Sequence, residues 1–161
     1  MLVALLPVLF SCRKPKDSYA YADINHDTDS IHLYVFDMQM DEKGLYDSEI
    51  CCRYYPDRIE SSTLDLLVTV FSPSGESYSE TLRLPIFRKE IKGDDRVKVV
   101  TANESAALDA SWLYRKGIQV SEGGRWRLNL KILDKNIAKE IVGIGFHYKN
   151  NTPYERKRQT S

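Results

Sequence analysis

Residues 64–85, LDLLVTVFSPSGESYSETLRLP, decide the fold. Leu64 to Phe71 is rich in large apolar and β-branched residues, which favour a strand. The next four residues, SPSG, predict a turn, because Pro73 presets φ at the first corner and Gly75 can adopt a positive φ. Tyr78 to Pro85 then returns with alternating apolar residues. The segment is therefore predicted to form an antiparallel β-hairpin.

A two-residue period continues on both sides of this hairpin. Residues 31–40, IHLYVFDMQM, contain few polar positions and are predicted to form a strand covered on both faces. Residues 125–133, RWRLNLKIL, are predicted to bury one face, since Trp126 and the apolar residues after it alternate with polar ones. Further strands are predicted at residues 46–55, 96–101, 117–120 and 141–148.

The connections between these strands are short. Asn103 is a candidate N-cap for one or two helical turns over residues 103–108, and residues 134–139 form a polar connection or a helical turn. Gly143 and Gly145 fall on one face of the last strand and leave room for a bulge or a large neighbouring ring. About eight short strands without a long helix predict an all-β antiparallel β-sandwich over residues 31–148, with a partly closed β-barrel as the alternative.

The N-terminus has the pattern of an export signal. Residues 1–10 are almost wholly apolar and precede Ser11, Cys12 and a basic stretch. About ten apolar residues span only part of a bilayer, which suits a signal peptide better than a transmembrane helix. Residues 9–12, LFSC, resemble a lipobox, so residues 1–11 are predicted to be removed and Cys12 to be lipidated. The alternatives are a cleaved signal without lipid and a merely apolar N-terminus. A signal peptide carries positive charge ahead of its apolar region, and none precedes Leu2, so we expect the natural start to lie slightly upstream.

Polar segments flank the predicted domain. Residues 12–30 are interpreted as a tether followed by an edge strand, and residues 149–161 as a basic disordered tail. Within the tether, DINHDTDS (residues 23–30) has the oxygen spacing of the start of an EF-hand loop. Thr28 replaces the glycine that this loop needs, and Tyr34 replaces its closing glutamate. An acidic solvated segment is therefore favoured over a Ca²⁺ site, and no metal or cofactor is predicted.

Composition and motifs exclude several function classes. Lys plus Arg equals Asp plus Glu, 23 each, so no nucleic-acid partner is expected. Cys51 and Cys52 are neighbours on a predicted strand and point to opposite faces, so buried free thiols are expected. The sequence lacks a nucleophile elbow, an HExxH helix and a phosphate-binding loop, and the spacing of His26, His32 and His147 does not indicate convergence. We predict no catalytic residues and a non-enzymatic protein, with glycosidase chemistry by distant carboxylates as the enzyme alternative.

The aromatic residues suggest a binding surface. The chain has ten Tyr and two Trp, and aromatic rings on a β-sandwich can stack on sugars or contact other proteins. Trp126 aligns with core leucines. Trp112 and Tyr114 are the better candidates for an exposed binding platform, because they lie near a predicted loop. Tyr54 and Tyr55, which precede Pro56, are further candidates that could be either exposed or buried.

Four features of the sequence belong together. They are the short signal that ends at Cys12, residues 51–84 with a Tyr-Pro loop, an apolar strand and a Pro-Gly turn, residues 123–133, GGRWRLNLKIL, and residues 141–146, IVGIGF. In combination they resemble the gliding motility-associated lipoproteins of the GldH family. The resemblance covers residues 45–146 and implies a membrane-anchored, non-enzymatic accessory protein of the Bacteroidetes envelope, associated with gliding or its secretion machinery. Only Cys12 carries over as a site residue.

The sequence therefore predicts an envelope lipoprotein whose β-sandwich binds other envelope proteins, with a glycan-binding lipoprotein as the alternative. The residues after Cys12 are basic rather than acidic, which favours the periplasmic face of the outer membrane over surface export.

Overall fold

The computed structural model describes residues 17–23, 32–86, 97–101 and 107–153, and these residues form two packed β-sheets. The predicted signal peptide, Cys12, Asn103 and the tail after residue 153 lie outside the described residues. The elements in chain order are β1 (Asp17–Asp23), β2 (Leu33–Met40), β3 (Leu45–Tyr54), β4 (Thr63–Phe71), β5 (Ser77–Pro85), β6 (Val97–Thr101), β7 (Leu108–Gln119), β8 (Gly124–Ile132), α1 (Lys135–Glu140) and β9 (Ile141–Asn150).

Every pair of neighbouring strands is antiparallel. One sheet has five strands in the order β1-β9-β3-β7-β6, and the other has four in the order β2-β8-β4-β5. Over the described ranges no strand pairs across the two sheets, so each sheet keeps two edge strands. The predicted antiparallel β-sandwich is confirmed, whereas over these described ranges the two sheets do not join into the partly closed barrel that was the alternative.

The core lies between the two sheets and follows from alternation along the central strands. Leu64, Leu66 and Val68 on β4 are fully buried, as are Leu128 and Leu130 on β8. Residues of the same parity on one strand share a face, so these side chains point together into the sandwich. Burying each one contributes about 1.5–3 kcal/mol relative to leaving it exposed.

The predicted hairpin is confirmed. β4 and β5 pair from Thr63 opposite Pro85 to Phe71 opposite Ser77. The Gly75 amide donates to the Ser72 carbonyl at 3.0 Å, and Gly75 has a φ of 93°, the left-handed conformation that the turn requires of it.

β2 differs from its prediction as a strand covered on both faces. Phe36 and Met38 point into the core, whereas Leu33 is 46% exposed and Val35 is 51% exposed. The physical reason is that β2 is an edge strand of an antiparallel sheet, and such a sheet buries one face only.

β7 is longer than predicted. It begins at Leu108 and ends at Gln119, so the predicted strand at 117–120 is only its last part, and the predicted helical turn does not extend to Leu108. Its register against β3 shifts on both sides of Ser48, which is opposite Arg115, and Gly117 has a φ of 62°. These bulges disturb the two-residue alternation, which explains why the sequence pattern hid the strand.

The end of the chain follows its predicted pattern. α1 is the predicted helical turn, and the Asp134 carboxylate caps it by accepting from the Asn136 amide at 2.8 Å. The register between β3 and β9 shifts between Arg53 and Tyr54, directly after the Arg53–Gly143 pair, so the bulge that was one of the two expectations for this strand is present. Cys51 and Cys52 are both buried, as predicted.

The sheets extend beyond the predicted domain limits of 31 and 148. The predicted edge strand ahead of residue 31 is present as β1, which pairs with β9 along its whole length. At the other end, β9 continues to Asn150, and the Leu45 amide donates to Thr152 Oγ1 at 2.9 Å. The sandwich therefore includes part of the predicted tether and part of the predicted tail.

Candidate functional site

Trp112 is not part of an exposed platform, contrary to the sequence prediction. Its side chain is 3% exposed, and the indole N–H donates to the Pro85 carbonyl at 3.1 Å. Trp112 lies on β7 of the five-stranded sheet and Pro85 ends β5 of the four-stranded sheet. The residue therefore links the two sheets across the core.

Tyr114 makes a second link between the same two strands. Its hydroxyl donates to a Glu80 carboxylate oxygen at 2.8 Å, the same carboxylate accepts from Arg115, and the Arg115 guanidinium lies 4.5 Å from the Tyr114 ring centroid. Burial and this hydrogen bond to Glu80 raise the pKa of Tyr114 above its usual range. Tyr114 is half-buried and held in a structural cluster rather than free for a ligand.

The Tyr54–Tyr55 pair is divided by the alternation of β3. Tyr54 is fully buried, which decides between its two alternatives and removes it from the candidate binding residues. Tyr55 follows the strand, is half-buried, and has the Arg58 guanidinium 4.5 Å from its ring centroid. The four aromatic residues thus do not form one platform, because two of them belong to the interior.

A polar cluster on the outer face of the five-stranded sheet involves His147. Glu49 accepts from Lys98 Nζ at 2.8 Å and from the Ser111 hydroxyl at 2.7 Å, and His147 Nδ1 lies 3.6 Å from the same carboxylate. Partial burial works to raise the pKa of Glu49, but the hydrogen bonds from Lys98 and Ser111 outweigh it and the pKa lies below its usual value. The serine donates to the carboxylate rather than to the imidazole, so the cluster lacks the order of an activated nucleophile.

Metal ligation has no support within the ranges that the structure covers. There, no group of three His, Cys, Asp or Glu side chains is arranged to hold a metal ion. Of the EF-hand-like residues, the backbone of Asp23 ends β1, and the remainder of that segment lies outside the described residues. The same described ranges contain no helix long and apolar enough to cross a membrane.

The β2 edge is the surface that the sequence reasoning missed. The Ile132 amide donates to the His32 carbonyl at 3.1 Å, and Leu33 is opposite Lys131 on β8. Because hydrogen bonding alternates along an antiparallel strand, the backbone groups of Leu33, Val35 and the next alternate residues point away from β8. The Gln39 amide confirms this direction, since it donates to the Tyr148 hydroxyl at 3.3 Å instead of to β8.

The exposed side chains of β2 lie beside this open edge. Leu33 and Val35 are exposed aliphatic side chains, at 46% and 51%. At the far end of β2, Asp37 accepts from Arg125 and, at 3.2 Å, from Arg127 Nε. Hydrogen bonds from these two arginines hold the pKa of Asp37 below its usual value, so the carboxylate is ionised at neutral pH. The β2 edge thus has an apolar half at Leu33 and Val35 and a charged half, where one carboxylate pairs with two arginines.

Two of three comparisons with known proteins find no match: no family model matches this chain, and no curated protein matches it. Among solved structures, the chain is similar to the CspB protease of Clostridium perfringens, with 15% identity and a TM-score of 0.33. That similarity covers 84% of this chain and 25% of the protease chain. A likeness of this size assigns neither an activity nor a family.

Proposed function

We propose that this protein is a membrane-anchored, non-enzymatic accessory lipoprotein of the bacterial envelope that binds another envelope protein through the β2 edge. The lipid on Cys12 would hold the β-sandwich at the periplasmic face of the outer membrane. The partner belongs to a gliding or secretion-type machinery, as the resemblance of residues 45–146 implies. The observation that carries the proposal is the open edge of β2 with Leu33 and Val35 exposed on it.

An open edge strand favours binding of an extended segment. Its unpaired backbone groups can form main-chain hydrogen bonds with an added strand, and the neighbouring side chains select the partner. Completing the burial of two half-exposed aliphatic side chains would contribute about 2 kcal/mol, or roughly thirtyfold in affinity. The partner segment is therefore extended and places apolar side chains against Leu33 and Val35.

The test is affinity purification of the full-length protein from its native envelope in mild detergent, with mass spectrometry of the co-eluting proteins. Val35→Lys places a charge on the apolar half of the edge, and Thr81→Lys is its matched control. Thr81 is exposed on the same outer face of the sheet but lies on β5, the opposite edge strand. Both positions tolerate lysine in the isolated fold, because exposed substitutions usually change stability by only about 0.5 kcal/mol.

We expect an envelope protein to co-purify stoichiometrically with the wild type and with Thr81→Lys, and to be reduced at least about tenfold with Val35→Lys. Equal recovery with Val35→Lys would show that the β2 edge is not the interface. A solitary lipoprotein in all three preparations would contradict the proposal and favour the glycan-binding alternative, which a carbohydrate array would then examine.

A further inference from the structure

A cavity lies between the two sheets at the end of the sandwich where β7 leads into β8. It has a volume of about 140 Å³. Its walls are apolar and include Met38, Val70, Trp126, Leu128 and Phe146, which come from strands of both sheets. The volume is close to that of an engineered apolar cavity of about 150 Å³ that binds benzene.

One hydroxyl in this cavity has no partner. Ser48 is 4% exposed and lines the cavity, and its Oγ forms no hydrogen bond. Among the side chains that the structure describes, the other buried oxygen without a partner belongs to Asn129, which does not line this cavity. A buried hydroxyl without a partner costs about 1–3 kcal/mol relative to a satisfied one, so its occurrence needs a cause.

The hydroxyls of Tyr46 and Tyr114 and the indole N–H of Trp126 in the wall are already engaged. The Trp126 indole N–H donates to the Glu122 carbonyl at 3.1 Å, and the Tyr114 hydroxyl donates to Glu80. The Tyr46 hydroxyl accepts from the Asp41 amide at 2.8 Å and from Asn150 Nδ2 at 3.3 Å. A buried water usually needs two to four polar partners, whereas most of the wall is apolar and its tyrosine hydroxyls and indole N–H already have hydrogen bonds. An apolar molecule with a single polar group fits the wall better than water does.

The β7 bulges explain why space exists at Ser48 and how a ligand reaches it. The register between β3 and β7 shifts on both sides of Ser48, and bulges of this kind bend the strand that carries the extra residue. Past the bulges, Ile118 lines the cavity and is 38% exposed, and Gln119 and Ser121 line it from exposed positions. These three residues form a mouth that connects the cavity to solvent. Met38 and Met40 add flexible side chains that can adjust to a ligand.

We propose that this cavity binds a small apolar molecule, a single aromatic ring or a short branched aliphatic group, that carries one hydroxyl or amine. The apolar part occupies the space between Val70, Trp126 and Phe146, and the polar group hydrogen-bonds to Ser48 Oγ. The site is independent of the β2 edge, since it uses the inner faces of the sheets. It is a binding site and not a catalytic one.

Phenol and toluene are the matched probes, because they differ only in a hydroxyl and a methyl group on the same ring. Binding is measured on the full-length protein in mild detergent by the saturable change in melting temperature and in tryptophan fluorescence. All variants share the same micelle background, so a difference between variants reports on the cavity. We expect a phenol Kd of about 1 mM, which is within the range for a ligand of this size.

Three variants test the assignment. Ser48→Ala is expected to weaken phenol about five- to tenfold and to leave toluene within about twofold, because one hydrogen bond is lost. Val70→Phe is expected to fill the cavity and abolish binding of both probes. Ile118→Trp obstructs the mouth from an exposed position, so it gives the same readout if Val70→Phe does not fold.

The proposal is overturned if neither probe binds saturably at about 10 mM, ten times the expected Kd. It is also overturned if phenol binds Ser48→Ala as tightly as wild type, or if Ile118→Trp binds both probes unchanged. A crystal structure of the phenol-soaked protein that retains only water at Ser48 Oγ would equally contradict it.

Discussion

Trp112→Ala should destabilise the protein strongly, because the structure places this side chain between the sheets. Truncating a buried tryptophan costs about 3–5 kcal/mol, through lost burial and the cavity left behind. The loss at Trp112 should lie near 4 kcal/mol, since the side chain is 3% exposed and its hydrogen bond to the Pro85 carbonyl disappears as well. This is a large fraction of the roughly 5–15 kcal/mol that a domain of this kind has.

The measurement is urea denaturation followed by circular dichroism, because the substitution removes one of the two tryptophans that fluorescence would report. With a slope of about 2 kcal/mol per molar urea, the midpoint should fall by about 2 M. Tyr78→Ala is the matched control, since Tyr78 is an aromatic residue that is 59% exposed on β5. Its free energy of unfolding should change by about 0.5 kcal/mol.

An exposed binding platform at Trp112 would give the opposite pattern. Trp112→Ala would then leave the urea midpoint within about 0.3 M of wild type, which corresponds to a surface substitution. That result would refute the placement of Trp112 in the core. It would also restore this residue as a candidate for glycan stacking.

Three further predictions follow from other parts of the chain. Ser48→Ala should raise the free energy of unfolding by about 1 kcal/mol and the melting temperature by about 2–4 °C, because it removes an unsatisfied hydroxyl. A lower melting temperature of the variant would show that Ser48 has a partner. The hydrogen bond from Arg115 lowers the pKa of Glu80 in the folded protein below its ordinary 4.5. The ionised Glu80 therefore stabilises the fold fully above pH 4.5, and this stabilisation is lost as the pH falls through the lower pKa of the folded state. The Glu80→Gln variant should therefore lose less stability than wild type between about pH 6 and about pH 3 in urea titrations, and equal losses would contradict this ion pair. Cys12→Ala should abolish metabolic labelling with a palmitate analogue, and retained label would contradict lipidation at this position.

The fold could be predicted from the sequence where two-residue alternation and turn chemistry agree. The β4–β5 hairpin shows this, since Pro73 and Gly75 define the turn and Leu64, Leu66 and Val68 fill the core. β7 could not be predicted in full, because its bulges and Gly117 break the alternation that identifies a strand. The prediction that both faces of β2 are covered is wrong, because an apolar sequence pattern does not show whether a strand lies at the edge of a sheet.

The candidate sites were harder to predict than the fold. Trp112 lies near a predicted loop, which favours an exposed position, but the strand β7 carries it into the interior. For Tyr54 the sequence leaves both positions open, and β3 places it in the core. The signal that could have located the β2 edge is the polar pair Asp37 and Gln39, which shares a face with Val35. Ser48 gave no sequence signal at all, because an isolated serine in a strand does not indicate whether its hydroxyl finds a partner.

The most direct test of the central claim is site-specific photocrosslinking in the native envelope. A photoreactive amino acid at Val35 should crosslink the full-length lipoprotein to one envelope protein, and the same group at Thr81 on the opposite edge of the sheet should not. Crosslinks of equal yield from both positions, or none from Val35 while the partner still co-purifies, would contradict binding at the β2 edge.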